Sequence, residues 1–190
     1  YCAQSYKDCG RNDISIKWYT KALTLCNWNQ EKYYSCLMLG KLYSEKKDYI
    51  NAIKYWSESY NYDKERIECI ASIMEYYYNI GQHFMVSSLY NKFKDMNVIK
   101  QDKLFIDDSK YKLFHYCASI SGSYCDEGKS AYEACKYLLL NNCQDTQNTI
   151  YNINKCYIQC FKEDKENISF IDFFIKYLSK EPTKYIENVW

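Results

Sequence analysis

Cysteine and histidine are the residues of this sequence most suited to chemistry, because both bind metals and act as nucleophiles or bases. The chain of 190 residues has 11 cysteines and 2 histidines, and no two cysteines form a Cys-x-x-Cys pair. Cys156 and Cys160 would share a helix face, but His83 and His115 lie far from them in sequence. A structural zinc site needs four such ligands together. We therefore expect no metal, and we interpret the cysteines as small hydrophobic residues of a reduced chain.

Three further patterns suggest chemistry, and each has a simpler structural interpretation. Gly122 and Ser123 lack the Gly-x-Ser-x-Gly spacing of a nucleophile elbow. Adjacent carboxylates at Asp107 and Asp108 would point apart on a helix, so helix capping is favoured over paired acid–base work. Asn167 begins a glycosylation sequon, which a cytosolic chain would leave unmodified.

The sequence contains none of the short motifs that hold nucleotides or catalytic metals. It has no glycine-rich phosphate loop, no Gly-x-Gly-x-x-Gly, no His-Glu-x-x-His and no Asp-x-Asp. His115 lies on an apolar helix face and His83 occupies a position that helical repeats often fill with a ring, so packing is favoured over catalysis for both. We expect no catalytic residue and no cofactor in these 190 residues.

The overall charge argues against polyanionic partners. With 25 basic and 24 acidic residues the net charge is +1, so neither nucleic acid nor an anionic membrane surface is expected to bind. Hydrophobic residues make up 47% of the chain, as in a globular protein, and no apolar run is long enough to span a bilayer. We expect a cytoplasmic chain.

The elements that position these residues come from an internal repeat. One set of residues recurs after 37 positions and most of it again after a further 34: Ala3, Tyr6, Ser15, Tyr19, Ala22; Gly40, Tyr43, Ala52, Trp56, Ser59; Met74, Tyr77, Val86, Tyr90. A period near 34 residues is typical of stacked helical hairpins. We expect a small residue to let the two helices of each hairpin approach closely, and a large aromatic residue one turn away to fill the gap to the next hairpin.

Apolar spacing and capping residues predict where the helices lie. We expect N-caps at Asn29, Asp48 and Asp63. A longer insert carries an apolar plug, Leu104 to Ile106, which we expect to be buried. The predicted helices are 1–9, 13–26, 30–46, 49–61, 64–80, 83–95, 109–125 and 129–142, with two more between 145 and 179.

The helices group into hairpin units in a single domain over 1–179. The predicted units are about 1–28, 29–62, 63–96, 107–143 and 145–179, followed by a polar tail at 180–190. The last apolar helix would cover the exposed end of the array. The fold class predicted is all-α, a right-handed superhelical array of antiparallel helix hairpins.

The second unit resembles a tetratricopeptide repeat. The pattern runs from Cys36-x-x-Leu39-Gly40-x-x-Tyr43 to Ala52-x-x-x-Trp56. Cysteine replaces the first tryptophan of that repeat, and no proline ends the unit. The resemblance implies a tetratricopeptide-like α-solenoid.

A longer order of segments is similar to the C-terminal helical region of family-two-type glycosyltransferases of bacteria and large DNA viruses. It comprises AQSYKDCGRNDISIKWYTKAL, CNWNQEKYYSCLMLGKLY, KLFIDDSKYKLFHYCASIS and AYEACKYLL, within about 1–140. The resemblance implies a separate N-terminal catalytic domain preceding Tyr1, and an auxiliary module here for acceptor recognition or self-association. The alternative is a free-standing adaptor for protein–protein interaction.

The predicted binding surface is the concave face, formed by the first helix of each hairpin. Its partner would be a peptide or protein acceptor, a glycan stacked on tyrosine, or the chain's own catalytic domain, with a homodimer contact or a solvated groove as equal alternatives. An acidic chaperone tail is not expected, because Gln4, Met38 and Ser72 occupy the positions that would clamp its carboxylates. The predicted binding residues are Gln4, Lys7, Tyr34, Leu37, Lys41, Glu75, Tyr78 and Tyr116.

Overall fold

The computed structural model describes residues 2–96 and 103–141, and all regular structure within them is helical. Short 3₁₀ turns, Lys94–Met96 and Gly122–Tyr124, follow the sixth and seventh helices. The predicted all-helical class is confirmed for these ranges, whereas the helices and tail predicted beyond residue 143 lie outside them. The eight described helices are α1 Cys2–Asp8, α2 Asn12–Leu25, α3 Asn29–Glu45, α4 Tyr49–Tyr62, α5 Glu68–Asn79, α6 His83–Phe93, α7 Asp108–Ser121 and α8 Gly128–Leu140.

The chain divides into two compact units, Tyr1–Phe114 and His115–Trp190, with the boundary inside α7. In the first unit each helix from α1 to α5 packs against the next one along the chain, and α6 packs against the 3₁₀ turn that follows it. In the second unit α8 packs against the 3₁₀ turn that follows α7. Among the described residues, no helix is both long and apolar enough to cross a bilayer.

The four helix pairs in the described part of the chain are joined by the same turn. Gly10, Lys47, Gly81 and Asp126 have φ angles of 72°, 62°, 72° and 55°. After each of them, the next amide nitrogen donates to the carbonyl oxygen five residues earlier, over 2.8 to 3.0 Å. The following helix begins two residues beyond the left-handed residue. This is the geometry of a Schellman-type helix end, and its first three copies have the spacing of the sequence repeat.

The packing positions of the repeat are buried in all three copies. The small-residue, second-helix and aromatic positions each lie in the interior. The prediction that Gly40, Ala52 and Trp56 are core residues is confirmed. The nine buried residues are Ala3, Gly40, Met74, Ser15, Ala52, Val86, Tyr19, Trp56 and Tyr90.

Close contact within the hairpins depends on small residues and on buried serines. A Cβ atom built on Gly40 would overlap the indole ring of Trp56, so α3 and α4 approach this closely only because position 40 has no side chain. Ser59 Oγ donates to the carbonyl oxygen of Tyr33 over 2.9 Å, which ties α4 to α3. Ser15 Oγ donates likewise to the carbonyl oxygen of Ala3 over 2.8 Å, which ties α2 to α1.

Only one of the three predicted N-caps is correct. Asp48 caps α4, because its Oδ1 accepts from the amide nitrogen of Asn51 over 3.2 Å. Asn29 is instead the first residue of α3, with no side-chain cap before it. Asp63 ends α4, and its Oδ1 accepts from the amide nitrogen of Glu65 over 3.0 Å, so a five-residue linker precedes α5.

The expected burial of the apolar plug is wrong. Leu104 and Phe105 are 38% and 60% exposed, and Ile106 is half-buried. The physical reason is that this segment is anchored by its main chain: the guanidinium of Arg66 donates to the carbonyl oxygens of Leu104 and Phe105. We call residues 103–107 the strap. At its end Asp107 caps α7, accepting from the amide nitrogen of Ser109 over 3.1 Å, as predicted.

In the second unit the two helices pack around a buried histidine. His115 is buried and stacks on the Tyr137 ring, with 3.6 Å between ring centroids. Burial lowers the pKa of His115 to about 3, so the ring is neutral at physiological pH. Ala131 is buried close to Gly122, where a Cβ atom would lie 2.7 Å from the Ala131 methyl group. The prediction of His115 as a packing residue is confirmed in its burial.

Candidate binding groove

A groove of about 760 Å³ lies in the first unit. Its walls come mainly from α1, α3 and α5, which are the first helices of three successive hairpins, and the strap and the first turn of α7 close one side. Polar side chains connect neighbouring first helices, since Tyr33 on α3 bonds to Glu68 on α5. On the far side of α5, Glu75 pairs with Lys110 on α7. The groove therefore spans three successive hairpins, and polar contacts join their first helices.

Most of the predicted binding residues lie together in this groove. They are Gln4, Lys7, Tyr34, Leu37, Lys41 and Glu75. Tyr78 does not line the groove, and its ring contacts that of His83 at 6.2 Å between centroids. Tyr116 is half-buried on α7 in the second unit. Whether these residues bind a ligand stays a prediction.

Gln4 makes three of its four possible side-chain hydrogen bonds within the protein. Its Oε1 accepts from the hydroxyl groups of Tyr19 over 2.9 Å and Tyr34 over 3.2 Å, and its Nε2 donates to Asp8 over 2.7 Å. Burial raises the pKa of Tyr34, so its phenol is a proton donor at neutral pH. Gln4 therefore aligns the walls of the groove and has little left to offer a ligand.

An aromatic ledge, formed by Tyr34 and Phe105, stands at one end of the groove. The two ring centroids are 4.7 Å apart with the planes tilted by 34°. Phe105 is 60% exposed, and its φ is 52°. Positive φ is unfavourable for a bulky residue and persists only where surrounding contacts impose it. Phe105 is therefore an exposed ring held in a strained backbone conformation.

A buried ion pair imposes the strap's conformation. Arg66 and Glu68 are 1% and 0% exposed, and Arg66 donates to Glu68 Oε1 from Nε over 3.1 Å and from Nη2 over 2.6 Å. The hydroxyl group of Tyr33 donates to Glu68 Oε2 over 3.1 Å, and its ring lies 4.1 Å from the guanidinium carbon. Arg66 also donates to the carbonyl oxygens of Leu104, over 2.8 Å, and Phe105, over 3.2 Å.

Two weaker anchors hold the start of the strap. Lys103 Nζ lies 3.0 Å from carboxylate oxygens of both Asp63 and Glu65. The amide nitrogen of Leu104 donates to Gln30 Oε1 over 3.0 Å. The strap is thus tied both to α3 and to the linker before α5, and this is what brings Phe105 beside Tyr34.

Sequence reasoning did not single out Arg66 or Glu68. The signal was present, because both charges stand within the apolar stretch RIECIASIM, where an ionised residue is buried only if it is paired. What no pattern in the sequence shows is that Arg66 meets main-chain carbonyls nearly 40 residues further along.

Some of the charged side chains that line the groove have hydrogen bonds or ion pairs within the protein, and others have none. Glu75 pairs with Lys110 at 2.8 Å, Glu45 accepts from Asn12 over 3.2 Å, and Asp107 caps α7. By contrast, neither Lys7 nor Lys41 has a side-chain hydrogen bond or ion pair within residues 2–96 and 103–141. The groove lining therefore holds three lysines and three carboxylates, of which Glu75 and Lys110 form an ion pair, while Glu45 and Asp107 are bonded to neutral donors.

The residues that line the groove include serines, lysines and carboxylates. None of its lining residues is a cysteine or a histidine. The buried thiols of Cys36 and Cys69 lie outside it, and burial raises the pKa of each to about 12, so both are protonated. Within the described part of the chain, no three His, Cys, Asp or Glu residues are placed to hold a metal ion. The arrangement is suited to binding.

No protein-family profile matches the chain. Comparison with curated proteins likewise gives no match.

Proposed function

We propose that this chain is a helical-repeat binding module of the tetratricopeptide-like α-solenoid type, whose groove holds an extended segment of another protein. The observation that carries the proposal is that α1, α3 and α5 line one continuous groove. Arrays of hairpins use such a surface to bind extended chains. The recurring turns at Gly10, Lys47 and Gly81 support the same architecture, because identical connections favour a regular stack.

The size and lining of the groove support a peptide as ligand. Pockets that bind small molecules usually enclose about 300–1,000 Å³, so this groove, at about 760 Å³, has room for the side chains of a bound segment. It offers aromatic rings at Tyr34 and Tyr76, aliphatic surface at Leu37, and charges of both signs. A peptide presents this mixture of apolar, polar and charged groups along its length.

The resemblance to glycosyltransferase C-terminal regions extends the proposal. The module would stand beside a catalytic domain and recognise the protein or peptide acceptor, and the free-standing adaptor is the alternative. Reading the coding sequence upstream of Tyr1 separates the two: an α/β domain with Asp-x-Asp would support the enzyme, and its absence would support the adaptor.

A reducing, cytoplasmic location is part of the proposal. The cysteines that the structure describes are all free thiols, and four of them, Cys36, Cys69, Cys117 and Cys135, are buried as packing residues. Structural disulfides are the rule in secreted domains of this cysteine content.

The test is to block the groove and measure peptide binding. Peptides would be selected from a random dodecapeptide phage library on the full 190-residue chain and measured by fluorescence anisotropy. Leu37→Arg places a long cation on the groove wall, so we expect it to abolish binding. The matched control is Ile50→Arg, which adds the same side chain at an 86% exposed position outside the groove. Equal binding by both variants would overturn the proposal.

A further inference from the structure

The lining of the groove includes one side chain that comes from behind its walls. Trp56 lines the groove, although it belongs to α4, the second helix of its hairpin. The pyrrole part of its indole lies against α3 at Gly40, where a Cβ atom would overlap Cδ1 and Nε1. The missing side chain at Gly40 is therefore part of what places the indole ring at the groove.

The indole nitrogen of Trp56 is a donor without an acceptor. Trp56 is only 5% exposed, and its Nε1 is buried with no hydrogen-bond partner among the described residues. A buried donor left unsatisfied opposes folding, and nearly all buried N–H groups in proteins are paired. A donor of this kind at a binding groove is one that a ligand can satisfy.

A second unsatisfied group offers a comparison. Within the described ranges, Ser87 Oγ is the other buried side-chain atom that lacks a partner. Ser87 is buried on α6 and does not line the groove. Of these two groups, only Trp56 borders a space in which another molecule can supply the missing acceptor.

We propose that Trp56 Nε1 donates a hydrogen bond to a main-chain carbonyl oxygen of the peptide in the groove. This rests on the proposed peptide-binding function. The acceptor is a carbonyl oxygen because an ion buried against a single neutral donor would not recover its lost hydration. Every residue of an extended segment carries a carbonyl group, so this contact adds affinity without selecting a particular side chain.

The nitrogen is covered in the ligand-free structure, so side chains must move before the peptide reaches it. Met38 and Lys41 line the groove and lie within two residues of Gly40 on α3. Both have long, unbranched and flexible side chains. Rotamer changes of this kind are common at interfaces when a partner binds, and they leave the backbone in place.

The first experiment compares two variants of the full 190-residue chain, using several unrelated dodecapeptides selected on the parent. Trp56→Phe keeps an aromatic ring but removes the donor. We expect it to weaken the binding of every peptide about fivefold, the value of one neutral hydrogen bond. The matched control is Ser87→Ala, which removes the other unsatisfied group and should leave all the affinities unchanged.

Nuclear magnetic resonance tests the contact with Trp56 intact, and so also covers the case in which Trp56→Phe does not fold. The chain has four tryptophans, and the Nε1–H resonance of Trp56 is identified by elimination with Trp18→Phe, Trp28→Phe and Trp190→Phe. We expect it to move downfield when a peptide binds.

Ester substitution in the peptide locates the acceptor, because an ester carbonyl oxygen is a weaker acceptor than an amide one. Replacing successive amides by esters should reduce the downfield shift at one position only. The ester at that position should also weaken binding to the parent chain more than binding to Trp56→Phe.

The outcomes separate this proposal from the one it rests on. If binding depends on Leu37 but the Trp56 resonance does not move, or no ester position couples to Trp56, the hydrogen bond is overturned and the groove remains a peptide site. A loss confined to peptides that share one side chain would likewise overturn main-chain recognition. If no peptide is selected, or if Leu37→Arg leaves binding intact, both proposals are overturned.

Discussion

At the scale of single residues, the absence of a side chain at Gly40 sets the distance between two helices. A Cβ atom there would overlap the indole ring of the buried Trp56. We predict that Gly40→Ala lowers the free energy of unfolding by about 1–3 kcal/mol, because overpacking outweighs alanine's better helix propensity. Urea unfolding followed by circular dichroism measures it. Lys41→Ala, at the exposed next position, should change stability by less than about 0.5 kcal/mol. A Gly40→Ala variant as stable as the parent would contradict this register.

Arg66 and Glu68 support each other, so removing one should cost more than removing both. Arg66→Met leaves Glu68 buried without its cation, and we expect a loss of about 3–5 kcal/mol. The double variant Arg66→Met with Glu68→Met removes the stranded charge and should recover part of that loss.

The same substitution should also release the strap. Arg66 holds the carbonyl oxygen of Phe105, so limited chymotrypsin digestion should cut after Phe105 faster in the Arg66→Met variant. Digestion rates unchanged by the substitution would show that Lys103 and Gln30 suffice to hold the strap.

Residue-level prediction from the sequence succeeded where the interaction is local and failed where it is not. Asp48 was identifiable as a cap because the amide it accepts from is three residues away. Asp63 is also an aspartate before an apolar run, but its carboxylate pairs with Lys103, which is 40 residues away in sequence. The linker that contains Arg66 follows it, and α5 begins only at Glu68. Capping preference could not resolve that competition.

At the scale of elements, substitutions at two equivalent positions of the hairpin turn should change the stability in opposite directions. Gly81 and Lys47 occupy the same left-handed position, with φ of 72° and 62°. A side chain in this region costs about 1 kcal/mol relative to glycine. We predict that Gly81→Ala destabilises the protein by about 1 kcal/mol and that Lys47→Gly stabilises it by up to about the same amount.

Thermal unfolding of the two turn variants measures the difference. A Cβ atom at Gly81 meets no atom within 4 Å, so backbone conformation alone would explain its effect. Shifts of the same sign in both variants would contradict a shared turn conformation.

The strap shows why an element can be located from sequence and still be misread. The stretch Leu104 to Ile106 was correctly set apart as an insert, and its apolar character suggested burial. Hydrophobicity reports the preference of side chains, whereas this segment is anchored through main-chain carbonyls. The side chains of Phe105 and Ile106 line the groove.

At the scale of the whole molecule, the repeat period accounts for most of what could be predicted. The recurrence of small and aromatic residues, after 37 and then 34 positions, predicted the helices and also the face that α1, α3 and α5 present to the groove. The chemistry of that face could not follow from the period. Which lysines are neutralised depends on partners such as Glu75 and Lys110, which are 35 residues apart.

The two compact units should differ in how their stability responds to acid. His115 is buried in the second unit, and its pKa is lowered from 6.5 to about 3 by burial. The folded state therefore binds a proton at lower pH than the unfolded state does. The stability that this neutral histidine supports is fully present above pH 6.5 and is lost as the pH falls from 6.5 towards 3. The slope from one such group is at most about 1.4 kcal/mol per pH unit.

Hydrogen exchange by mass spectrometry, read separately for each unit between about pH 5 and 6.5, isolates this histidine from most carboxylates. We expect residues 115–141 to lose protection towards the acid end while α3 and α4 keep theirs. Intrinsic exchange rates would be corrected for pH. His115→Phe keeps a buried ring against Tyr137 and should remove the pH dependence of the second unit. The matched control is His83→Phe in the first unit, which should leave that dependence unchanged. A pH slope that persists in His115→Phe would show that another group carries the acid sensitivity.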